Sequence, residues 1–390
     1  MALSRRDFVR TIGAGAAGAW VAARGGEAVG RAFGGFDHVA GRLAPLADGS
    51  SAIILNSNEN PVGPFAPIVE AVHGAFGAAN RYPFASVTDV TAAIAKANGV
   101  KPENVLLGTG STQVLRTAIQ LFTSKDRPLV QPLSTFETPG QYAATIATPV
   151  TTVPLTSSMH FDLDGLVAAS RNAGAIYYCN PNNPVANAID GRTTRDFIAA
   201  VRNASPETTI VIDEAYFHYA TTGAVESMIP VAVENPRVIV ARTFSKAFGM
   251  AGLRLGYAVS HKDTIAKMAA WDGPGTVSVL ALEAGRAAMT MDTRIVSDER
   301  QRNADVRAFT TKWFADRGYP ATDSQANFIF VDVKRPTAAF RAACQKEEVL
   351  VGRDFPPYAT HCRITVGAMA EMQQAVKVFE KVLAAGAVEA

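Results

Sequence analysis

Lys246 is the residue around which chemistry can be built. It lies in Ala241–Val259, ARTFSKAFGMAGLRLGYAV, amid Ser, Ala, Phe and Gly, with Arg254 eight residues on. A lysine that forms a Schiff base must reach its aldehyde uncharged, and a partly apolar, desolvated setting lowers its pKa. Ser245 and Arg254 are residue types that bind a phosphate, by a hydroxyl hydrogen bond and by a guanidinium fork. Taken alone, the segment reads equally well as a surface lysine in a glycine-rich loop.

Other segments add to it. In VIDEAYFHY (Val211–Tyr219) an apolar run ends in Asp213, which presents a carboxylate at the carboxyl end of a strand, where ligands sit in open α/β sheets. A pyridine-based cofactor such as pyridoxal 5′-phosphate (PLP) needs a carboxylate against its ring nitrogen. Tyr216, three residues on, can reach the ring's phenolic oxygen, as can Asn183 of NPNNP (Asn180–Pro184). The plainer readings are a helix cap for Asp213 and an ordinary turn for the prolines. GTGSTQ (Gly108–Gln113) stands between a strand pattern and a helix pattern, where backbone N–H groups meet a phosphate. Such glycines alone are a weak signal. Phe136 could stack on a ring or simply fill the core.

The elements that must position these residues alternate. Strand patterns cover Val105–Leu107, Pro128–Val130, Val150–Val153, Ala175–Cys179, Thr209–Ile212, Val238–Ala241 and Tyr257–Val259, with helix-like stretches such as Gln113–Phe122 and Thr193–Val201 between several of them. Buried strands separated by helices predict an α/β fold with a mostly parallel sheet. The pattern changes after about residue 285. A charged helix (Asp292–Phe314), a strand (Phe328–Val333), a helix (Thr337–Glu347), a strand (Arg363–Val366) and a last helix (Ala368–Leu383) predict a smaller α+β domain. The expected organisation is an N-terminal segment at 36–70 packing with the small domain, a large domain at 71–285 and the small domain at 286–390.

The 390 residues fit about two domains. Hydrophobic residues make up 48% and charged residues 18%, and the net charge of +2 comes with no basic stripe, so neither nucleic acid nor an anionic membrane is expected as partner. Three cysteines without CxxC spacing and six scattered histidines give no disulfide framework and no metal-ligand pattern. At the start, Arg5 and Arg6 precede a Gly/Ala-rich run from Ile12 to Ala23. That run is too short to span a hydrocarbon core of ~30 Å as a helix. It predicts a twin-arginine signal within residues 1–35 and export to the periplasm or beyond. A plain Ala/Gly tail is the alternative.

LNSNENPVGP (Leu55–Pro64), NRYPF (Asn80–Phe84), KPENVLLGTGST (Lys101–Thr112), NPNNP, VIDEAY, RTFSKAFGMAGLRLGY, SQANF (Ser324–Phe328) and CRITVG (Cys362–Gly367), in this order, resemble the aspartate-aminotransferase-fold enzymes. They are most similar to the histidinol-phosphate aminotransferases. The resemblance implies the PLP-dependent transferase fold type I, working as a homodimer. It implies PLP bonded to Lys246, which then acts as general base and acid. It places Asp213 at the ring nitrogen, Asn183 and Tyr216 at the phenolic oxygen, and Phe136 on the ring. Ser111, Thr112, Ser245 and Arg254 fall at the phosphate, with Tyr82 reaching it from the other subunit. Arg363 matches the arginine that pairs with the substrate α-carboxylate; Arg353 and Asn58 are the other substrate-side matches. The chain departs from the family pattern at Val62, where a tyrosine usually helps bind a substrate phosphate, at Thr112-Gln113 and at Leu133-Ser134.

The implied activity is amino transfer between an amino acid, or a histidinol-phosphate-like amine, and a 2-oxo acid. A PLP-dependent decarboxylase or lyase uses the same scaffold, because substrate pose decides which bond at the α-carbon breaks. A non-catalytic binding protein is the third reading. The joint presence of Lys246, Asp213, Asn183, Tyr216 and Arg254 speaks against it.

Overall fold

Three apolar runs, Ala175–Cys179, Thr209–Asp213 and Val238–Thr243, are buried at every position, as strands must be when helices cover both faces of a sheet. The computed structural model describes residues 52–385 apart from 222, 224 and 273–276. The leader expected at 1–35, and residues 36–51, lie outside the described residues. From Ile54 onward the chain forms one unit.

In chain order the strands are β1 (Ile53–Leu55), β2 (Val105–Gly108), β3 (Leu129–Pro132), β4 (Val150–Val153), β5 (Ala175–Cys179), β6 (Thr209–Asp213), β7 (Val238–Thr243), β8 (Gly256–Val259), β9 (Phe328–Asp332), β10 (Val349–Val351) and β11 (His361–Thr365). The helices are α1 (Ala66–Ala75), α2 (Phe84–Ala97), α3 (Ser111–Phe122), α4 (Thr138–Thr145), α5 (Leu163–Ala169), α6 (Gly191–Ala204), α7 (Ile229–Glu234), α8 (Lys262–Asp272), α9 (Val279–Thr290), α10 (Thr293–Ala315), α11 (Thr337–Lys346) and α12 (Met369–Ala385).

Seven strands form the central sheet in the order β2-β8-β7-β6-β5-β3-β4. β4, β3, β5, β6 and β7 run parallel, and β8 is antiparallel to both β7 and β2. The expected mostly parallel α/β sheet is therefore present. Alternation along β5 divides the core: Ile176 and Tyr178 enter the cluster with Ile210, Ile212, Phe197 and Val201, whereas Ala175, Tyr177 and Cys179 enter the opposite one with Val211, Ala241, Val114 and Ala118. Helix α6 shows how its side of the core is made. Asp190 caps it by accepting from the Thr193 N–H at 2.8 Å, and Thr194, Phe197, Ile198 and Val201 bury one stripe.

Several element boundaries differ from the sequence reading, and two of the differences have a clear physical cause. β3 runs over Leu129–Pro132 rather than Pro128–Val130, because Pro128 has no N–H for the ladder and the pairing with β4 continues through Pro132. α3 starts at Ser111 rather than Gln113, because Gly110 takes φ +74° and turns the chain into the helix at once. Helix α9 runs across residue 285, so the change of pattern read there lies within a helix.

Beyond α9, β9 and β11 pair antiparallel, with Phe330 opposite Arg363. Phe314, Phe340 and Phe379 join α10, α11 and α12 through ring contacts of 5.5 and 5.8 Å. Behind the carboxyl ends of β6 and β7, Arg242 and Glu214 form a buried ion pair at 2.7 Å. Glu214 also accepts from Ser227 and the Met228 N–H, and Arg242 also donates to Asn98. Removing one partner of such a satisfied buried pair costs about 3–5 kcal/mol. The clamp ties together the two strand ends from which Asp213 and Lys246 project.

Candidate active site

The carboxyl ends of the parallel strands, on the side of the sheet that carries α3, gather the chemically interesting residues. Asp213 ends β6 and is 2% exposed. Its Oδ2 accepts from the Tyr177 hydroxyl at 2.8 Å and its Oδ1 from the Ala215 N–H at 3.1 Å. Burial pushes its pKa up to about 6, against the lowering effect of the Tyr177 bond. Lys246 follows β7. Its Nζ donates to the carbonyls of Asn58 at 2.9 Å and Ser57 at 3.2 Å and lies 5.7 Å from the Tyr216 ring centroid.

Asn58 is a junction. It adopts φ +54°, a conformation asparagine tolerates better than most residues. Its N–H donates to Thr365 Oγ1 at 2.9 Å, its Nδ2 to the Tyr216 hydroxyl at 3.2 Å, and its carbonyl accepts from Asn327 Nδ2 at 3.0 Å as well as from Lys246. Tyr216 packs edge-on against Phe328 at 5.0 Å. Burial, the largest influence on it, raises its phenol above the ordinary range.

Next to this cluster stands Arg363 of β11, buried. It donates to Asn183 Oδ1 at 2.8 Å and to the Asn56 carbonyl at 2.7 Å, while its Nε is buried without a hydrogen-bond partner. Burial draws its pKa down. Arg353 pairs with Glu137 and lies 4.2 Å from the Phe355 ring centroid.

A second group surrounds the start of α3. Gly110 precedes the helix and brings no capping side chain, while Gln113 Oε1 accepts from the Thr109 N–H at 2.6 Å. Arg254, at φ +61°, donates to Ser245 Oγ at 3.3 Å and to the Ala251 carbonyl at 2.7 Å, both neutral. Its guanidinium touches the turn: a Cβ on Gly110 would fall 2.5 Å from Arg254 Nη2. A Cβ on Gly256 would fall 2.2 Å from the Ser111 nitrogen, so β8 backs the turn at backbone distance. Gly110, Ser111, Ser245 and Arg254 thus come together in a cradle, with Thr112 next along α3, and the N–H, hydroxyl and guanidinium donors there suit a phosphate dianion.

A model of class I and II aminotransferases matches residues 50–379. The chain belongs to the class I and II aminotransferases. It is 32% identical to an aromatic amino acid aminotransferase of Streptomyces coelicolor over 82% of this chain and 88% of the relative. It is 30% identical to a histidinol-phosphate aminotransferase of Moorella thermoacetica over 85% of this chain and 86% of the relative. Among solved structures, a histidinol-phosphate aminotransferase of Sinorhizobium meliloti in complex with pyridoxal-5′-phosphate superposes with a TM-score of 0.79 at 27% identity, covering 87% of this chain and 94% of that one. The chain is thus a PLP-dependent aminotransferase of the α/β type I fold.

The residues present fit that cofactor. The cradle at α3 offers donors to a phosphate, the buried Asp213 offers a carboxylate, and Lys246 stands beside Tyr216. Two further residues expected at the site lie as follows. Tyr82 is 85% exposed and stacks on exposed Phe84 at 5.9 Å, away from the described site contacts. Phe136 packs half-buried against the cluster that contains Tyr177 and Cys179. Sequence reading did not single out Tyr177, Glu137, Asn327, Phe355 or Thr365. A signal existed for two of them: Tyr177 lies two residues before Cys179 and Thr365 two after Arg363, so each shares a strand face with a neighbour of interest.

Proposed function

We propose that this aminotransferase exchanges amino groups between an aromatic amino acid and a 2-oxo acid. The observation that carries the reading is the pairing of Arg353 with Glu137 beside the Phe355 ring. A phosphorylated substrate would call for unneutralised cations at its far end. Here the second substrate-side arginine is matched by a carboxylate and lies on an aromatic ring. Val62, 49% exposed where related histidinol-phosphate enzymes usually carry a tyrosine, supports the same conclusion.

PLP, when bound, supplies an aldehyde that receives the amino group and a protonated ring that accepts electron density. Ser111, Thr112, Ser245 and Arg254 would hold its phosphate. Asp213 would pair with the ring nitrogen, Asn183 and Tyr216 would hold the ring oxygen, and Phe136 would pack on the ring. Lys246 Nζ takes the proton from the α-carbon of the bound amino acid. Arg363 receives the α-carboxylate on its planar fork, with the orphaned Nε as an additional donor. Asn58 holds the Tyr216 hydroxyl in place.

The functional unit is a homodimer in this reading, with Tyr82 and Phe84, bare in one chain, covered by the second copy. The paired Arg5 and Arg6 support export through the twin-arginine route. Absorbance spectra of the PLP-loaded protein test the main claim. Phenylalanine or tyrosine should convert the lysine-dependent band and a 2-oxo acid should restore it. Histidinol phosphate should do so at least about tenfold less efficiently. Efficient conversion by histidinol phosphate would sink the substrate assignment, and release of carbon dioxide with no need for a 2-oxo acid would favour the lyase.

A further inference from the structure

We propose that Tyr177 is a positioning residue for the cofactor ring: its hydroxyl, bonded to Asp213, holds that carboxylate charged and in one orientation toward the pyridine nitrogen. The inference rests on the PLP reading and adds a residue from a strand that carries none of the assigned catalytic side chains.

The sheet register makes the contact. β5 and β6 pair in parallel with Tyr177 opposite Val211 and Cys179 opposite Asp213. Tyr177 and Asp213 are therefore diagonal neighbours on the same face, and a phenol is long enough to bridge that diagonal. Tyr177 is fully buried. A buried hydroxyl must find an acceptor, and this one uses Asp213 Oδ2 at 2.8 Å. The Ala215 N–H takes Oδ1. With one donor on each oxygen, the carboxylate plane is fixed from two sides.

The charge balance around Asp213 makes the bond consequential. The groups facing it are Tyr177 and Cys179 from β5, Glu214 beside it, Tyr216 in the following turn and Lys246 from the segment after β7. Burial and Glu214 favour the protonated acid, while the Tyr177 bond, the Ala215 N–H and Lys246 favour the carboxylate. Loss of the hydroxyl tips this balance toward the neutral acid. A neutral Asp213 cannot serve as counter-ion to a protonated ring nitrogen. A merely space-filling role needs the ring and not the oxygen, so Phe would then serve as well.

The test is PLP affinity of the full-length protein, measured from pH 5 to 8, for wild type, Tyr177→Phe and a protein with 3-fluorotyrosine at position 177. Tyr177→Phe should bind PLP about tenfold more weakly at pH 7, and its acid fall-off in affinity should move up by about one pH unit. The fluorinated phenol is a stronger donor and should move the fall-off down. Fall-offs at the wild-type pH in both variants, with unchanged circular dichroism, would overturn the assignment. Should Tyr177→Phe fail to fold, the near-isosteric fluorotyrosine protein decides alone by the same criterion. A wild-type protein that takes up no PLP overturns the cofactor reading together with this one, whereas wild-type binding with unmoved variants overturns the Tyr177 assignment only.

Discussion

The Phe355 ring is shared by two guanidinium groups, with Arg353 Cζ 4.2 Å and Arg363 Cζ 4.9 Å from its centroid. Arg363 is buried and Arg353 about a quarter exposed, so one ring joins the expected carboxylate anchor to the outer arginine. Cation–π contact with a desolvated guanidinium is worth about 2 kcal/mol. Phe355→Leu should therefore raise KM for an aromatic donor by about tenfold and lower kcat less. Arg363→Lys should cost more, about a hundredfold in kcat/KM, because an ammonium cannot reproduce the fork. Steady-state kinetics with phenylalanine checks both. A lysine variant at wild-type efficiency would remove Arg363 from the site.

Gly256 is a specific weak point in the phosphate cradle. A methyl group there would lie 2.2 Å from the Ser111 nitrogen and 2.5 Å from the Gly110 carbonyl carbon, both backbone atoms that cannot rotate away. Gly256→Ala should displace the start of α3 from Arg254 and Ser245. Overpacking of this kind costs roughly 1–3 kcal/mol, so PLP affinity should fall about ten- to a hundredfold. Equilibrium dialysis with PLP measures it. Unchanged affinity would mean that the phosphate sits elsewhere.

Asp213 predicts a pH dependence in the cofactor-free protein. Its pKa is about 6 in the fold against an ordinary value of 3.8. Between those two values the folded state holds a proton that the unfolded chain has released, so this group makes stability fall as pH rises through that window and adds no further change above about 6. The contribution is on the order of 3 kcal/mol. Denaturant midpoints of PLP-free wild type should decline from pH 4 to pH 7 more steeply than those of Asp213→Asn, which has no charge to expose. Parallel slopes would refute the burial cost.

What the sequence disclosed and what it withheld divide along chain distance. Lys246, Asp213, Tyr216 and Asn183 were legible because each stands at a strand end within a short run of telling neighbours. The central strands were legible because burial on both faces leaves unbroken apolar runs. The contacts that tune these residues span the chain: Asn58 meets Thr365 across 307 positions and Arg353 meets Glu137 across 216. No local pattern encodes such pairings. Tyr177 escaped for another reason. In a strand buried at every position, a tyrosine looks like core until the neighbouring strand's register shows what its hydroxyl reaches.

Glu137 is where selectivity can be moved. Its carboxylate stands on the chain just before α4 and engages Arg353 from the far side of the sequence, with Glu137 about a third and Arg353 about a quarter exposed. While paired, Arg353 presents little net charge to an incoming side chain, which favours an uncharged ring over an anion. Glu137→Gln keeps the size and a hydrogen-bond acceptor but removes the charge. An anionic donor such as aspartate would then meet an arginine relieved of that carboxylate. A partly exposed pair of this kind is worth no more than about 1 kcal/mol, so the ratio of kcat/KM for aspartate over phenylalanine should rise about fivefold, chiefly through KM for aspartate. The effect should shrink as salt is added, since the gain is electrostatic and partly solvent-exposed. A ratio unchanged at low salt would show that the Glu137–Arg353 pair holds the two loops together without facing the substrate.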